Sequence, residues 1–423
     1  MRACGMDFGT SNSAISLPMP QGGADETAAV TLAPAEGHHG TLPTALFYGT
    51  DKGDALIGRA AQKMFFEGEE GRFMRSLKRL LGTSLMTQST AVNGKLRPFD
   101  RIIADFVSQL KSRAETTAGA PLDAVVMGRP VHFVDGDDTG DKMAQDQLAE
   151  IARMAGFSQV AFQFEPIAAA FAHEGRIATE KLALVVDIGG GTSDFTLVKI
   201  CAGYSRKADR REDILASHGI RTGGNDFDKQ LSLASFMPLL GYRGTYGDKN
   251  LSVPLAPFHD MSEWSKINFL YTPQQRRDIA HILKSAHAPD KLSRFATVLE
   301  EETGHRLLAV VEDTKISLTH ETDTTAALGF IEQGLVAGIT RANFDCAIEN
   351  DMADILRAMD ACLLDAQTDA AKIDIVILTG GPTETPLLQS AIRARFPHAH
   401  ISEDERMASV ALGLGHDAAR VFG

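Results

Sequence analysis

Two short stretches of this sequence place a carboxylate, hydroxyls and glycines close enough together to handle a phosphate and its metal. The first holds Asp7, Gly9, Thr10, Ser11 and Asn12; the second holds Asp187, Gly189, Gly190, Gly191, Thr192, Ser193 and Asp194. Residues without Cβ let backbone N–H groups converge on an anion, hydroxyls donate to its oxygens, and a carboxylate accepts from water held by a small, reluctantly dehydrating cation. A flexible β-turn is the bland alternative. Against it stands the repetition, because Asp7 aligns with Asp187, and Thr10, Ser11 and Asn12 align with Thr192, Ser193 and Asp194. Two related turns suggest two similar domains that face a common cleft. Neither is the strand-to-helix phosphate loop, since G-x-x-x-x-G-K-[ST] is absent and each turn leads into a strand.

The elements that must position these residues are legible in outline. Apolar runs predict strands over 182–186 and 195–200, which makes the second turn the tip of a hairpin. Residues 1–37 read as a β-meander with a glycine- and proline-rich crossing at 18–23, and strand signals return at 42–48. From 58 to 81 the pattern turns helical and basic, with Arg75, Lys78 and Arg79; by residue type alone these are a solvated face. A helix over 100–117, a strand over 124–133, a helix over 139–155 and a strand over 159–164 follow. Glu165 and Pro166 then open a helix whose Ile167, Ala168, Ala169 and Ala170 permit close packing, and Glu165 by itself reads as a partner of the helix dipole. A strand over 212–218 precedes Gly223 and Gly224, a helix entry with Asn225 as cap. On a helix over 309–321, Glu312 and Lys315 share a face and either reach one ligand or form a surface ion pair. The C-terminal part holds a buried strand, Gly380, Gly381 and Pro382, a helix, and a last helix over 409–422.

Length and composition narrow the classes of function. A chain of 423 residues suggests two or three domains, and 44 % hydrophobic with 23 % charged residues describes an ordinary soluble globular protein. The net charge of −13, without a long Lys/Arg run, argues against nucleic acid as partner. Cys4, Cys201, Cys346 and Cys362 lack metal or redox spacing, and His281 and His287 lack a set of ligand partners, so a reducing cytoplasm and surface or core histidines are expected. No leader-like start and no membrane-length apolar run are apparent, so neither export by that route nor a membrane is expected.

Residues 5–13 (GMDFGTSNS) and 185–195 (VVDIGGGTSDF) resemble the two phosphate motifs of the actin, sugar-kinase and seventy-kilodalton heat-shock ATPases, and 374–397 resemble that superfamily's adenosine motif. FEPIAAAFAH (164–173), SLKRLLG (76–82) and GGNDFDKQL (223–231) resemble the heat-shock branch: its first connecting helix, its segment with a catalytic lysine, and a turn-and-helix of its second lobe. The chain is similar to short members of the DnaK-type heat-shock chaperone family that hold only the nucleotide-binding part. The resemblance implies an α/β, two-lobed actin-like ATPase fold of duplicated ribonuclease-H-like domains with nucleotide in the cleft between lobes. It places the first lobe at 1–180, with a peripheral subdomain at about 38–105, and the second at 181–423, with a peripheral subdomain at about 226–335.

The same resemblance implies ATP/ADP and Mg2+, with Lys78, Glu165, Asp187 and Thr192 catalytic and Asp7 and Asp187 holding the metal through water. Phosphate and nucleoside contacts fall to Asp7, Gly9, Thr10, Ser11, Asn12, Gly189, Gly190, Gly191, Asp194, Gly223 and Gly224, then Glu312, Lys315, Gly380, Gly381 and Pro382. The implied activity is slow, chaperone-type ATP hydrolysis that drives the lobes open and closed without a peptide-binding domain. A nucleotide-gated binding module with little hydrolysis, or a small-molecule kinase of the same fold, is the alternative. Protein clients or co-chaperones are the partners implied. Ile316 and Glu384 stand where the family has arginines that stack on adenine, which leaves the base open. The region 241–306, with the single Trp264, matches the family pattern least.

Overall fold

The apolar runs become the inner strands of two sheets laid out on one plan. The computed structural model describes residues 2–19, 29–50, 55–134, 137–174, 177–207, 209–402 and 408–423. The first sheet runs in the order Gln159–Phe164, Ala124–Arg129, Ala3–Phe8, Asn12–Pro18, Val30–Leu32, with Thr41–Pro43 also paired to Asn12–Pro18. The second runs His400–Ser402, Ile375–Thr379, Lys181–Ile188, Ser193–Ile200, Ile214–Ile220. In each, a central hairpin strand has an antiparallel partner on one side and a parallel strand on the other. Strands covered on both faces read as continuous apolar runs, which is why Ala183, Leu184, Val185 and Val186 are all buried. The hairpin registers bring Phe8 opposite Ser13 and Ile188 opposite Ser193, so each glycine turn stands at the same end of its sheet.

Two helices lie between the sheets. Glu165–Glu174 and Ser409–Phe422 contribute Ile167, Ala168, Ala169, Ala170, Leu414 and Ala418 to a core shared with Val126 of the first sheet and Val185 and Ile377 of the second. Small side chains make this possible: a Cβ on Gly413 would lie 1.9 Å from the Ala168 carbonyl oxygen, and one on Gly5 would lie 2.2 Å from the Gly415 nitrogen. The alanine-rich start of the first of these helices therefore fixes where Glu165, its first residue, points.

Several expectations shift. The segment 58–81 is not one helix: Arg59–Phe66 is helical, Gly71–Arg75 is a strand against Ala45–Gly49, and Leu77–Leu80 is a 3-10 turn. Gly68, at φ 76°, follows the end of the helix, and Phe73 and Met74 then have a sheet to pair with. The strand expected over 124–133 stops at Arg129, ahead of Pro130, which offers no N–H to a ladder. The second hairpin is longer than expected and spans Lys181–Ile188 and Ser193–Ile200. Of the crossing expected at 18–23, residues 20–23 lie outside the described residues.

Candidate functional site: a cleft built on two glycine turns

The two turns meet. A Cβ on Gly190 would lie 2.2 Å from the Ser11 Oγ and 3.4 Å from the Asn225 Oδ1, so only glycine lets them approach. Gly189 donates its N–H to the Thr192 carbonyl at 2.9 Å, which closes the second turn, while the Gly189 and Gly190 carbonyls accept from the amides of Gly224 and Asn225 at 3.0 and 2.7 Å. The carbonyls are thus occupied by the entry of the Gly224–Leu231 helix. Among the described residues, the amides of Gly190 and Gly191 find no protein acceptor, and neither do those of Thr10 and Ser11. Four backbone donors with no partner, on two facing turns, suit an anion.

The other glycines are required by close approach. A Cβ on Gly223 would lie 2.7 Å from the Gly189 oxygen, one on Gly224 2.8 Å from the Pro382 Cγ, and one on Gly9 2.1 Å from the Asn12 oxygen. Gly380 has φ 86°, and a Cβ there would lie 2.1 Å from the Ile188 oxygen and 3.3 Å from the Asp187 Oδ1. Gly381 opens the short turn Gly381–Glu384. Segments far apart in the sequence therefore share one wall.

Beside the turns lies a charged group of four. Lys78 Nζ donates to Glu165 Oε1 at 2.6 Å, with only 10 % and 12 % of the two side chains exposed. Burial pushes the Asp187 carboxyl up to about 8, helped by the negative charges of Glu165, Asp194 and Asp7 and opposed by Lys78. Burial likewise pushes Asp7 up to about 7, with Glu165 adding to the effect and Lys78 opposing it. Burial alone would lower Lys78, but Glu165, Asp7 and Asp187 hold its ammonium above the ordinary lysine value. Three carboxyls around one ammonium leave an excess of negative charge that protonation of Asp7 and Asp187, or a bound cation, relieves. Thr192 is exposed at its turn, Thr10 is half-buried, and Asp194 stands opposite Asp187 in the hairpin register.

A second group forms where the Gly224–Leu231 helix faces Gly304–His320. Lys315 Nζ pairs with both Asp228 oxygens, at 2.8 and 2.9 Å, and donates to the Gly224 carbonyl at 3.3 Å. The Lys315 side chain is thus held by Asp228 and not by Glu312. Burial raises Asp228 to about 6, with Lys315 lowering it and Glu312 raising it. Asp228 was missed in the sequence, although it sits one helical turn beyond Gly224. Ile316 is 52 % exposed beside this group.

An aromatic group was missed as well, because its members are scattered through the chain. Phe65, Phe66 and Phe73 stand within 5.9, 5.9 and 6.1 Å of the Trp264 ring, Arg75 lies 4.5 Å over it, and His305 packs against it at 4.7 Å. This group ties 59–75 to the divergent region. His305 is pushed down to about 4 by burial, so it stays neutral near pH 7. His287 only hydrogen-bonds Thr245, and among the described residues no group of three His, Cys, Asp or Glu could hold a metal directly.

The family model for the Hsp70 protein matches residues 3–237 and 281–418. The chain belongs to the Hsp70 family. Its fold is the two-lobed, actin-like ATPase fold of that family, and the two sheets of like plan are its duplicated centres. The chain is 26 % identical over 431 aligned positions to the chaperone protein DnaK of Thermotoga petrophila and to that of Thermotoga neapolitana, and 25 % identical over 430 to that of Thermosipho melanesiensis. Each alignment covers 99 % of this chain and 59 % of the DnaK. The internal stretch the Hsp70 model leaves unmatched, 238–280, holds Trp264 and overlaps the divergent region, whose later part, 281–306, is matched. No helix among the described residues is long and apolar enough to cross a membrane.

Proposed function

We propose that this chain binds Mg-ATP between its two lobes, 1–180 and 181–423, and hydrolyses the γ-phosphate as a slow, chaperone-type ATPase whose turnover opens and closes the lobes. The peripheral subdomains proposed are 38–105 and 226–335. The observation that carries this reading is the Lys78–Glu165 pair set beside Asp7 and Asp187 where the two glycine turns meet. Family membership supports it.

The residues present fit a hydrated divalent cation: two half-buried carboxyls with ionisation suppressed, one more carboxylate and a single ammonium. Asp7 and Asp187 would hold magnesium through water, and bound magnesium would neutralise charge on the phosphates. Gly190, Gly191, Thr10 and Ser11 supply amides to the phosphates; Gly9, Asn12, Gly189, Gly223 and Gly224 allow the backbone to come close. Hydroxyls of Thr10 and Thr192 donate to phosphate oxygens. Lys78 stabilises charge that grows on the transferring group, and Glu165, fixed by its helix, orients the attacking water. Asp187 and Asp194 are candidate acceptors of the water's proton. Glu312, Lys315, Gly380, Gly381 and Pro382 form the nucleoside side. Partners of the chaperone kind, protein clients and co-chaperones, and a cytoplasmic setting are proposed from the family.

The test is single-turnover release of γ-phosphate from Mg-ATP by the purified chain, Lys78→Ala and Thr192→Ala, with GTP in parallel because of Ile316 and Glu384. A loss of about tenfold or more in either variant, about 1.4 kcal/mol of barrier, with binding retained, is the expected result. Tight nucleotide binding without any hydrolysis by the unaltered chain would replace the ATPase with a nucleotide-gated binding module.

A further inference from the structure

Next to Lys78 the same 3-10 turn carries Arg79, whose guanidinium reaches the opposite wall of the cleft. Its Nη1 lies 3.7 Å from the place a Cβ on Gly191 would occupy, so a cation of the first lobe stands over the second glycine turn. Among the described residues this guanidinium makes no hydrogen bond and no ion pair. That sets it apart from Lys78, Lys315 and Arg75 around it, each of which has a carboxylate or an aromatic ring. The backbone that presents it is strained: Ser76, immediately before the turn, has φ 59° and ψ 31°, a left-handed conformation that a serine adopts at a cost. From this turn the Lys78 side chain reaches Glu165 and the Arg79 side chain reaches the second glycine turn.

Arg79 and the amides of Gly190 and Gly191 therefore converge from opposite lobes, all as donors and all without an acceptor. A planar guanidinium and a pair of backbone N–H groups are suited to one tetrahedral oxyanion. We propose that Arg79 grips the terminal phosphate of a nucleoside triphosphate from the side opposite the glycine turn, so that the chain distinguishes triphosphate from diphosphate through a contact that spans both lobes. The proposal rests on the nucleotide reading above and adds a residue to it. A diphosphate lacks the group that Arg79 reaches.

The experiment is calorimetric binding of ADP and of the non-hydrolysable β,γ-imido analogue of ATP, each with Mg2+, to the whole chain, Arg79→Ala and Arg79→Lys. Arg79 is exposed and, among the described residues, unpaired, so the variants should melt as the unaltered chain does, and melting curves check this. The expected result is that Arg79→Ala weakens the imido analogue about tenfold or more and ADP less than about twofold, with Arg79→Lys in between. Equal changes for both nucleotides, or no change, would overturn the role of Arg79 and leave the nucleotide reading standing. Failure of the unaltered chain to bind either nucleotide would overturn both.

Discussion

At Asp187 and Asp7 the folded chain holds carboxyls partly away from water and beside other negative charge, and both pay in suppressed ionisation. Their folded values, about 8 and about 7, lie above the ordinary 3.8, so between those limits the folded chain binds more protons than the unfolded one. Stability of the nucleotide-free protein must then fall as pH rises through this window. The raised Lys78 acts in the same direction, but only above its ordinary value of 10.5, outside the window. Asp187→Asn removes one of the two acids, so its melting temperature should gain on the unaltered chain between about pH 5 and about pH 8.5. Parallel melting curves at the two ends would contradict the assignment. The residue types at 7, 78, 165 and 187 could be singled out in the sequence, the first and last from their glycine turns and the other two only through resemblance. Their mutual distances could not, since Lys78 and Glu165 are 87 positions apart.

Among the elements, the helix Ser409–Phe422 has the tightest fit. An alanine in a helix is ordinarily better than a glycine by about 1 kcal/mol. At Gly413 the sign reverses, because the new Cβ would press on the backbone oxygen of Ala168, which no side-chain rotation can move. Overpacking of this kind costs about 1–3 kcal/mol, so Gly413→Ala should lower the midpoint of denaturation, a result measurable by urea titration followed by circular dichroism. An unchanged or raised midpoint would mean that the two helices separate freely. Since Ala168 is three residues from Glu165, the same variant should also slow the proposed hydrolysis. The helical character of both elements was legible from Glu165-Pro166 and the apolar spacing of 409–422, whereas the 58–81 segment misled: its basic residues look helical until a neighbouring strand, Ala45–Gly49, competes for the backbone.

For the whole molecule, the aromatic group around Trp264 joins Phe65, Phe66 and Phe73 to Trp264 and His305 through large side chains. Each aromatic pair adds about 0.5–1.5 kcal/mol beyond its burial, and Arg75 over the indole adds a cation–π term. Trp264 is also the only tryptophan, so its emission reports this contact without labelling. Phe65→Ala should shift the emission to longer wavelength and speed release of a fluorescent ADP by about threefold to tenfold, as stopped-flow mixing would show. Emission and release that match the unaltered chain would show that the contact does not restrain the lobes.

The sequence by itself determined the duplicated hairpins, the glycines at their tips and the acids beside them, because turn chemistry depends on residues within one or two positions of each other. Family order along the chain came from the same local motifs. Only the tertiary structure decided that Lys315 pairs with Asp228 in preference to Glu312, that Lys78 meets Glu165, and that Phe65, Phe73 and His305 surround Trp264. Those choices follow from helix-on-helix and lobe-on-lobe packing, which sets which charges lose water together and which partner lies within reach, and no spacing along the chain encodes that distance.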